Sequence, residues 1–159
     1  MKVVFFSESG IVGKVDRNFP NARNDIAWSI MMNADWCPYG KTPTEKYDLG
    51  VVTIPKTKPN LDVDWFKQHC DKIAIMQEGP HWYFQDYSVE QQFQFVENLR
   101  KANWVWCHNE SDVSYYKGLG CKDVRVMRTL MLPEGLNCQL TTSQKKGILL
   151  GGNFTSWYS

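Results

Sequence analysis

Short, continuous runs of apolar residues recur along the chain, each bounded by charged or turn-forming residues. Such runs are too short for helices and are typical of strands that are buried on both faces, as in a parallel sheet. Between them lie stretches with apolar residues at helical spacing. The predicted strands are 2–7, 47–54, 72–76, 103–107 and 123–132, and the predicted helices are 25–33, a short helix after residue 62, 89–101 and 110–117.

Polar residues that suit helix starts support these boundaries. Ser88 to Gln91 has the form of a capping box, and Asn109 is placed to cap the last helix. Asn21 or Asn24 is expected to cap the first helix, and Asn60 or Asp62 the second. On helix 89–101 we expect an apolar face of Phe93, Val96 and Leu99, with Phe95 nearby. Segment 35–45 is rich in Pro and Gly, which predicts a loop.

Strands that alternate with helices over connections of this length predict a Rossmann-like α/β domain, a three-layer α/β/α arrangement with a mostly parallel sheet. We place this domain at residues 1–140. Residues 141–159 hold a linker and a fresh apolar run, which we interpret as the first strand of a missing or truncated second domain. The alternative is that this run completes the sheet of the one domain.

Composition narrows the class of protein. The net charge of +1 argues against a general binder of nucleic acid or of anionic membranes, which would carry a basic patch. The apolar runs are shorter than a membrane span, and the first is too short for a signal-peptide core. We therefore expect no membrane span and a cytoplasmic location. Five cysteines without a CxxC pair favour reduced, mostly buried thiols.

The richest candidate chemistry follows the third predicted strand, in KIAIMQEGPHWYFQD. Ligands of open α/β sheets bind beyond the carboxyl ends of strands, so Glu78 and His81 are the candidate catalytic residues there. Trp82 and Tyr83 offer flat apolar faces on which sugar rings stack. Each has an alternative role, Glu78 and His81 as surface loop residues and the aromatics as core.

Two further turns carry candidate substrate-binding residues. The turn after the first strand holds Ser9, Gly10 and Gly13, but these glycines do not complete the G-x-G-x-x-G dinucleotide fingerprint. Arg17 and Arg23 follow it and are suited to a phosphate or carboxylate, although solvated arginine is the default. After the fourth strand come three more polar candidates, His108, Asn109 and Glu110. No zinc-ligand spacing occurs, and the Asp62-Val63-Asp64 pair lies at a helix start, so we predict no metal.

Two stretches carry a resemblance to a known family. They are ANWVWCHNESDVSYYKGLGCKDVRVMRTLML at 102–132 and KGILLGGNF at 146–154. Together with the order of elements, they resemble a GT-B glycosyltransferase of the family-four type. The first stretch is similar to the end of the N-terminal domain of such enzymes. The second resembles the strand that opens their nucleotide-sugar domain. Layout is similar over most of the chain, although neither stretch is a catalytic signature.

The resemblance implies transfer of a sugar from a nucleotide-sugar donor, which is a substrate and not a cofactor, to an unidentified acceptor. His81 best matches the histidine that lies near the donor sugar in retaining enzymes, and the turn at Ser9, Gly10, Val12 and Gly13 would face the donor phosphates. The donor domain with its paired-glutamate motif is lacking, so we expect this chain alone to be inactive. The alternative is a stand-alone Rossmann-like module that binds a nucleotide or a protein. A homodimer through the C-terminal segment is a further expectation.

Overall fold

The computed structural model describes residues 1–17, 23–55, 61–77 and 87–132. Within these ranges the chain forms seven strands and four helices. In chain order they are β1 Val3–Ser7, β2 Gly13–Lys14, α1 Asn24–Met31, β3 Asp35–Pro38, β4 Tyr47–Val52, α2 Val63–His69, β5 Cys70–Met76, α3 Val89–Lys101, β6 Trp104–Cys107, α4 Glu110–Gly118 and β7 Val124–Val126.

The seven strands form one sheet in the order β2-β3-β1-β4-β5-β6-β7. All neighbouring pairs are parallel except β2 and β3, which are antiparallel. The register places Val4 opposite Gly50 of β4, and Gly50 opposite Ile73 of β5. The prediction of an α/β domain with a mostly parallel sheet is therefore confirmed, and the architecture is consistent with a Rossmann-like fold.

Apolar side chains cover both faces of the sheet, which explains why the strands are continuous apolar runs. Val4 and Phe6 of β1 belong to one buried cluster, to which α2, α3 and α4 contribute Phe66, Leu99 and Tyr116. The alternate residues of β1 belong to a second cluster, which includes Ile26 of α1 and members of the neighbouring strands. The core thus lies on either side of β1, β4 and β5.

Two of the predicted helix starts are confirmed. Asp62 precedes α2, and its carboxylate accepts a hydrogen bond of 2.9 Å from the backbone N–H of Asp64. Ser88 and Gln91 form a complete capping box at α3, in which each side chain accepts from the other residue's backbone N–H. These bonds satisfy amide groups that the first helical turn would otherwise leave without partners.

The predicted asparagine caps of α1 and α4 are wrong, because no asparagine side chain caps either helix by a hydrogen bond. Asn109 occupies the position before α4, but its side chain makes no capping hydrogen bond. Arg23 is the residue before α1, and Asn24 is the first helical residue, with its amide bonded elsewhere. Asn21 and Asn60 lie outside the described residues. An asparagine near a helix start therefore indicated the boundary correctly here without serving as the cap.

Two predicted segments need correction. Residues 35–45 are not a loop throughout, because Asp35–Pro38 form β3, with Trp36 and Cys37 buried. Pro38 is the last residue of this short strand, and the turn at Gly40 follows it. The fifth predicted strand is shorter than expected, since only Val124–Val126 pair with β6. The backbone N–H of Met127 adds one more bond to β6, of 2.7 Å to Cys107 O, and residues 128–132 belong to no strand.

The buried face of α3 also differs from the prediction. Phe93 is 69% exposed and Val96 is half-buried, whereas Phe95 and Leu99 are buried together with Asn98. Asn98 lies in this face because its side-chain amide donates a 2.6 Å hydrogen bond to the carbonyl oxygen of Leu61. Because the polar Asn98 lies among the buried residues of α3, the apolar pattern alone pointed to the neighbouring face that includes the exposed Phe93.

Four cysteines in the described part of the chain are free thiols in buried positions, as predicted: Cys37, Cys70, Cys107 and Cys121. Burial raises the pKa of Cys70 to about 12 and that of Cys121 to about 11. No helix among the described residues is long and apolar enough to cross a membrane. Cys138, the boundary at residue 140 and segment 141–159 lie outside the described residues.

Candidate functional site

The carboxyl ends of β1 and β4 lie side by side at the middle of the sheet, and the chain leaves them in opposite directions. From β1 it continues to β3 on one side, and from β4 to β5 on the other. In open α/β sheets a crevice forms at such a switch point, and ligands bind there. The candidate site is therefore the carboxyl edge of the sheet around Ser7 and Val52.

Tyr39 joins the two strand ends. Its hydroxyl lies 3.0 Å from the carbonyl oxygen of Phe6 and also contacts the carbonyl oxygen of Thr53. Burial raises the pKa of Tyr39 well above its ordinary value, so the hydroxyl keeps its proton and acts as a donor. This contact fixes the spacing of β1 and β4 at the point where the crevice begins.

A buried carboxylate lies at the end of β1. Asp25 is fully buried and accepts hydrogen bonds from Arg23, at 2.6 and 3.0 Å, and from the hydroxyl of Ser7, at 3.0 Å. Arg23 Nη2 also donates to Ser7 Oγ, at 3.0 Å. The two-pronged pairing fixes the guanidinium at the start of α1, while 38% of the Arg23 side chain stays exposed. A guanidinium is thus held rigidly at the carboxyl edge beside the start of α1, with its charge balanced by Asp25 and part of its surface open to a ligand.

A second polar cluster joins α1 to β6 and to the segment after β7. Asn24 Nδ2 lies 3.2 Å from His108 Nε2, and Asn24 Oδ1 accepts from the backbone N–H of Leu130 at 2.8 Å. His108 Nδ1 lies 2.7 Å from the carbonyl oxygen of Met127. Asn24 Nδ2 also approaches Met76 Sδ, at 3.9 Å, so the first turn of α1 reaches the end of β5.

A cavity of about 240 Å³ opens beside the turn that follows β1. Its wall combines that turn with the start of α1, β2 and β3, and the charged groups in it are Lys14, Asp16 and Arg23. Lys14 is paired with Asp35 at 3.0 Å, across the β2–β3 pair. The lining residues are Ser9, Gly10, Ile11, Lys14, Val15, Asp16, Arg23, Ile26 and Trp36.

Gly10 is required by the shape of this turn. Its φ of +116° is a left-handed conformation that residues with side chains rarely adopt. A Cβ atom there would lie 2.5 Å from Trp36 Nε1, which donates a 2.6 Å hydrogen bond to the carbonyl oxygen of Ser9. The turn therefore rests directly on the indole of β3, and the indole forms part of the cavity wall.

The structure brings some of the predicted substrate-binding residues together and separates others. Ser9 and Gly10 line the cavity, as does Arg23. Gly13 belongs to β2 and pairs with Trp36, and neither Gly13 nor Arg17 is among the lining residues. In the turn after β1, Ser9 and Gly10 therefore belong to the candidate site, whereas Gly13 belongs to the edge strand of the sheet.

The three polar residues after β6 have different surroundings. His108 lies in the cluster with Asn24, as its position after a strand end predicted. Asn109 is bonded to Asp112 of α4 at 3.5 Å, and the side chain of Glu110 is 83% exposed, 3.9 Å from Arg128. Glu78, His81, Trp82 and Tyr83 lie outside the described residues, so their roles stay predictions.

Sequence reasoning missed several residues of this edge. Ser7, Asn24 and Asp25 were assigned to a strand end and to a helix start, and Trp36 to a loop. The signal that could have found them is the Arg23-Asn24-Asp25 run, where an acid opens a helix directly beside an arginine. The contact between α1 and His108 spans 84 positions, and no local pattern predicts it.

Gln77 is a further polar residue at the end of a strand. It follows β5 directly, and its backbone N–H extends the parallel ladder with a 2.9 Å bond to Trp106 O. Its side chain is buried, and Oε1 has no hydrogen-bond partner in the described part of the chain. The structure also contains, among its described residues, no group of three side chains that could hold a metal ion.

Comparison of the chain with models of protein families, with curated proteins and with solved structures gave no significant match. What the site can do is therefore argued from its own groups. They are a fixed cation beside a cavity, a histidine held at a strand end and a buried amide, all at the carboxyl edge of a parallel sheet.

Proposed function

We propose that this domain is the acceptor-side, N-terminal half of a glycosyltransferase of the GT-B kind and takes part in moving a sugar from a nucleotide-sugar donor to an acceptor. The observation that carries the proposal is the cavity behind the β1 turn, with Arg23 in its wall. A nucleotide sugar combines an anionic diphosphate with neutral hydroxylated rings. A rigid arginine suits the first part and a partly apolar cavity suits the second.

Each group would have a distinct role. Arg23, oriented by Asp25 and Ser7, would bind phosphate oxygens of the donor. By the family resemblance the turn at Gly10 would face the same phosphates, and glycine keeps this turn in contact with Trp36, where a side chain would not fit. His81, by the family resemblance, would lie near the donor sugar, with Glu78 orienting it and with Trp82 and Tyr83 stacking on sugar rings. The transfer as proposed requires no metal.

The two apolar clusters, one with α1 and the other with α2, α3 and α4, support a three-layer α/β/α arrangement for this half. The buried thiols in the described part of the chain support a reducing compartment, in keeping with a cytoplasmic enzyme. A second domain that grips the nucleotide would face the carboxyl edge, so that the donor lies between the two.

The proposal is tested on the product of the native gene, incubated with UDP-glucose, GDP-mannose and related nucleotide sugars while nucleotide release is measured. We expect release with at least one donor, and its loss in His81→Ala. His69→Ala is the matched control, because His69 lies at the end of α2 in contact with Trp65. Release that is absent with every donor, or unchanged in His81→Ala, would contradict the proposal.

The alternative is a stand-alone binding module. It is favoured by the fact that the described residues already form a sheet with apolar clusters on both faces. Calorimetry with the same nucleotides separates the two hypotheses, since a module would bind a nucleotide without consuming a nucleotide sugar. In that case Arg23→Lys should still weaken binding, because lysine cannot reproduce the two-pronged pairing with Asp25.

A further inference from the structure

Helix α3 carries a row of side chains that faces away from the sheet, and its apolar members are exposed. The α3 row consists of Val89, Phe93, Val96 and Arg100, which follow one another at intervals of four, three and four positions. Val89 is 62% exposed, Phe93 is 69% exposed and Val96 is half-buried. Residues at this spacing lie along one side of a helix and form the seam along which two helices pack. The α3 row therefore has the pattern of a contact surface.

A groove runs beside the α3 row, between α3 and α4. Its volume is about 500 Å³, and its wall is formed by the row itself, by Gln92, and by Tyr115 and Leu119 on the side of α4. Arg100 is fixed there, because its Nε donates a 2.6 Å hydrogen bond to the carbonyl oxygen of Leu119. An exposed apolar patch beside a groove is typical of a surface that contacts another protein.

The charges of α3 indicate which protein fits this surface. Glu90 lies in the first turn of the helix, whereas Arg100 and Lys101 lie in its last turn. A second copy whose own α3 runs antiparallel brings the acidic end of each helix beside the basic end of the other. With a two-fold axis between Phe93 and Val96, Phe93 of each copy lies opposite Val96 of the other, and Glu90 lies next to Arg100. The surface is thus complementary to itself, as a two-fold contact requires.

We propose that two copies of this chain associate through antiparallel α3 helices, with the α3 row of each copy covering the groove of the other. The contact is short, because the stretch from Val89 to Arg100 spans only about 16 Å of helix. Small interfaces are weak, so we expect a dissociation constant of about 10 µM to about 1 mM. The inference is independent of the proposed function, since no residue of the row lines the cavity beside the β1 turn.

The test is sedimentation velocity of the full chain from about 1 µM to about 1 mM, a range that brackets the expected dissociation constant. The wild type should move from the mass of one chain toward that of two as its concentration rises. Phe93→Ala should weaken this association about tenfold or more, because each dimer loses two rings. The matched control is Met31→Ala, since Met31 is also an exposed apolar residue but lies on α1. Its association should equal that of the wild type.

Charge reversal tests the antiparallel arrangement. Glu90→Lys and Arg100→Glu each bring like charges together in the dimer, so each variant should associate with itself about threefold more weakly, or worse. In an equimolar mixture of the two variants, opposite charges meet again at both ends of the paired helices. The mixture should therefore associate within about twofold of the wild type. Urea unfolding at about 1 µM, where the chain is a monomer, checks that each variant keeps its fold.

Four results would overturn the inference. A wild type with the mass of one chain at every concentration would exclude the dimer. A dimer that Phe93→Ala leaves unchanged would join the copies through another surface, such as the C-terminal segment. A mixture of the two charge variants that associates no better than either alone would contradict the antiparallel arrangement. A clearly lower urea midpoint for Phe93→Ala at about 1 µM would show that the ring is covered within a single chain.

Discussion

The side-chain amide of Asn24 lies 3.2 Å from Nε2 of His108, across 84 positions of sequence. The orientation of the amide is fixed, because Asn24 Oδ1 accepts from Leu130 N and leaves Nδ2 to face the imidazole. His108 Nδ1 faces the carbonyl oxygen of Met127, which can only accept. His108 must therefore carry its proton on Nδ1 and accept at Nε2.

This arrangement predicts a single tautomer. In slightly alkaline solution, long-range ¹H–¹⁵N spectra should show His108 as the Nδ1–H form, whereas a histidine side chain free in water prefers Nε2–H. His69 in α2 serves as the reference in the same spectra. Asn24→Ala should release the preference and cost about 1–3 kcal/mol of folding free energy, because the Leu130 N–H loses its acceptor. A dominant Nε2–H signal for His108 would contradict the geometry.

The Arg23–Asp25 pair predicts a large, directional mutational effect. Arg23→Ala should lower the free energy of unfolding by about 2–4 kcal/mol, since it leaves the buried Asp25 carboxylate without its cation. The double variant Arg23→Ala/Asp25→Ala should lose less free energy of unfolding than the sum of the two single variants. Urea unfolding measures both.

The control for this pair is Arg125→Ala, which removes an exposed arginine from its contact with Asp123. Exposed ion pairs contribute little, so a change below about 1 kcal/mol is expected. Equal effects of Arg23→Ala and Arg125→Ala would show that Asp25 does not depend on Arg23.

Phe93 and Phe95 form a matched pair on one helix. Phe95→Ala should cost about 3–5 kcal/mol, because Phe95 is 3% exposed and packs against Tyr87. Phe93→Ala should change stability by less than about 0.5 kcal/mol, because the ring is 69% exposed. Thermal or urea unfolding of the two variants decides the inward face of α3, and the reverse ranking would restore the face expected from the sequence.

These cases show how far sequence alone could reach. The long apolar strands, the Asp62 cap and the Ser88 capping box were predictable, because each rests on neighbouring residues. The four-residue strand β3 was not, because its only two apolar residues, Trp36 and Cys37, are followed directly by Pro38 and then by Gly40. On α3, Leu99 is buried as predicted but Phe93 is not, because Asn98 is buried by a bond to distant Leu61 and turns the face toward Phe95.

The same limit applied to the candidate site. Sequence reasoning identified the β1 turn and the β6 end as polar strand ends, and Ser9, Gly10 and His108 do lie at the carboxyl edge. It did not find Asp25, whose burial depends on a contact with Ser7 of β1, 18 positions away. A buried acid that pairs with an arginine looks, along the chain, like any helix start.

Asp35 gives the fold a predictable dependence on pH. Burial opposes its charge, but hydrogen bonds from Lys14 and Tyr47 outweigh this and hold the pKa of Asp35 below its usual value. Because the pKa of Asp35 is lower in the folded state than in the unfolded state, its charge stabilises the fold. This stabilisation is complete above the pKa of the unfolded state, about 4, and is lost as the pH falls through the pKa of the folded state. Asp35→Asn should therefore cost about 1 kcal/mol near neutrality and progressively less below about pH 4.

Urea unfolding across this pH range measures the difference between wild type and Asp35→Asn. The matched control is Asp71→Asn. Asp71, like Asp35, pairs with a lysine, since it lies 2.6 Å from Lys46 Nζ, but the side chain of Asp71 is 55% exposed. Its effect should stay small at every pH. A difference for Asp35→Asn that grew toward acid would reverse the assigned sign.

Gly50 in the middle of β4 predicts a steric coupling. A Cβ atom there would lie 2.7 Å from Cys70 Sγ and 3.1 Å from Ile73 Cδ1. Gly50→Ala should therefore cost about 1–3 kcal/mol, and Cys70→Ala should recover part of the loss. Gly118→Ala is the control, since its Cβ would meet nothing within 4 Å. Equal stability of Gly50→Ala and Gly118→Ala would contradict the close packing.

The outer strands of the sheet have a consequence for assembly. Among the described residues, one edge is the two-residue β2, which carries Lys14, and the other is the three-residue β7, which carries the exposed Arg125. Short, charged edges are poor templates for strand addition by another chain. The edges of the sheet that the described residues form are thus guarded against lateral aggregation, and we expect a partner domain or a second copy to approach this part of the chain through the helices or over the carboxyl edge.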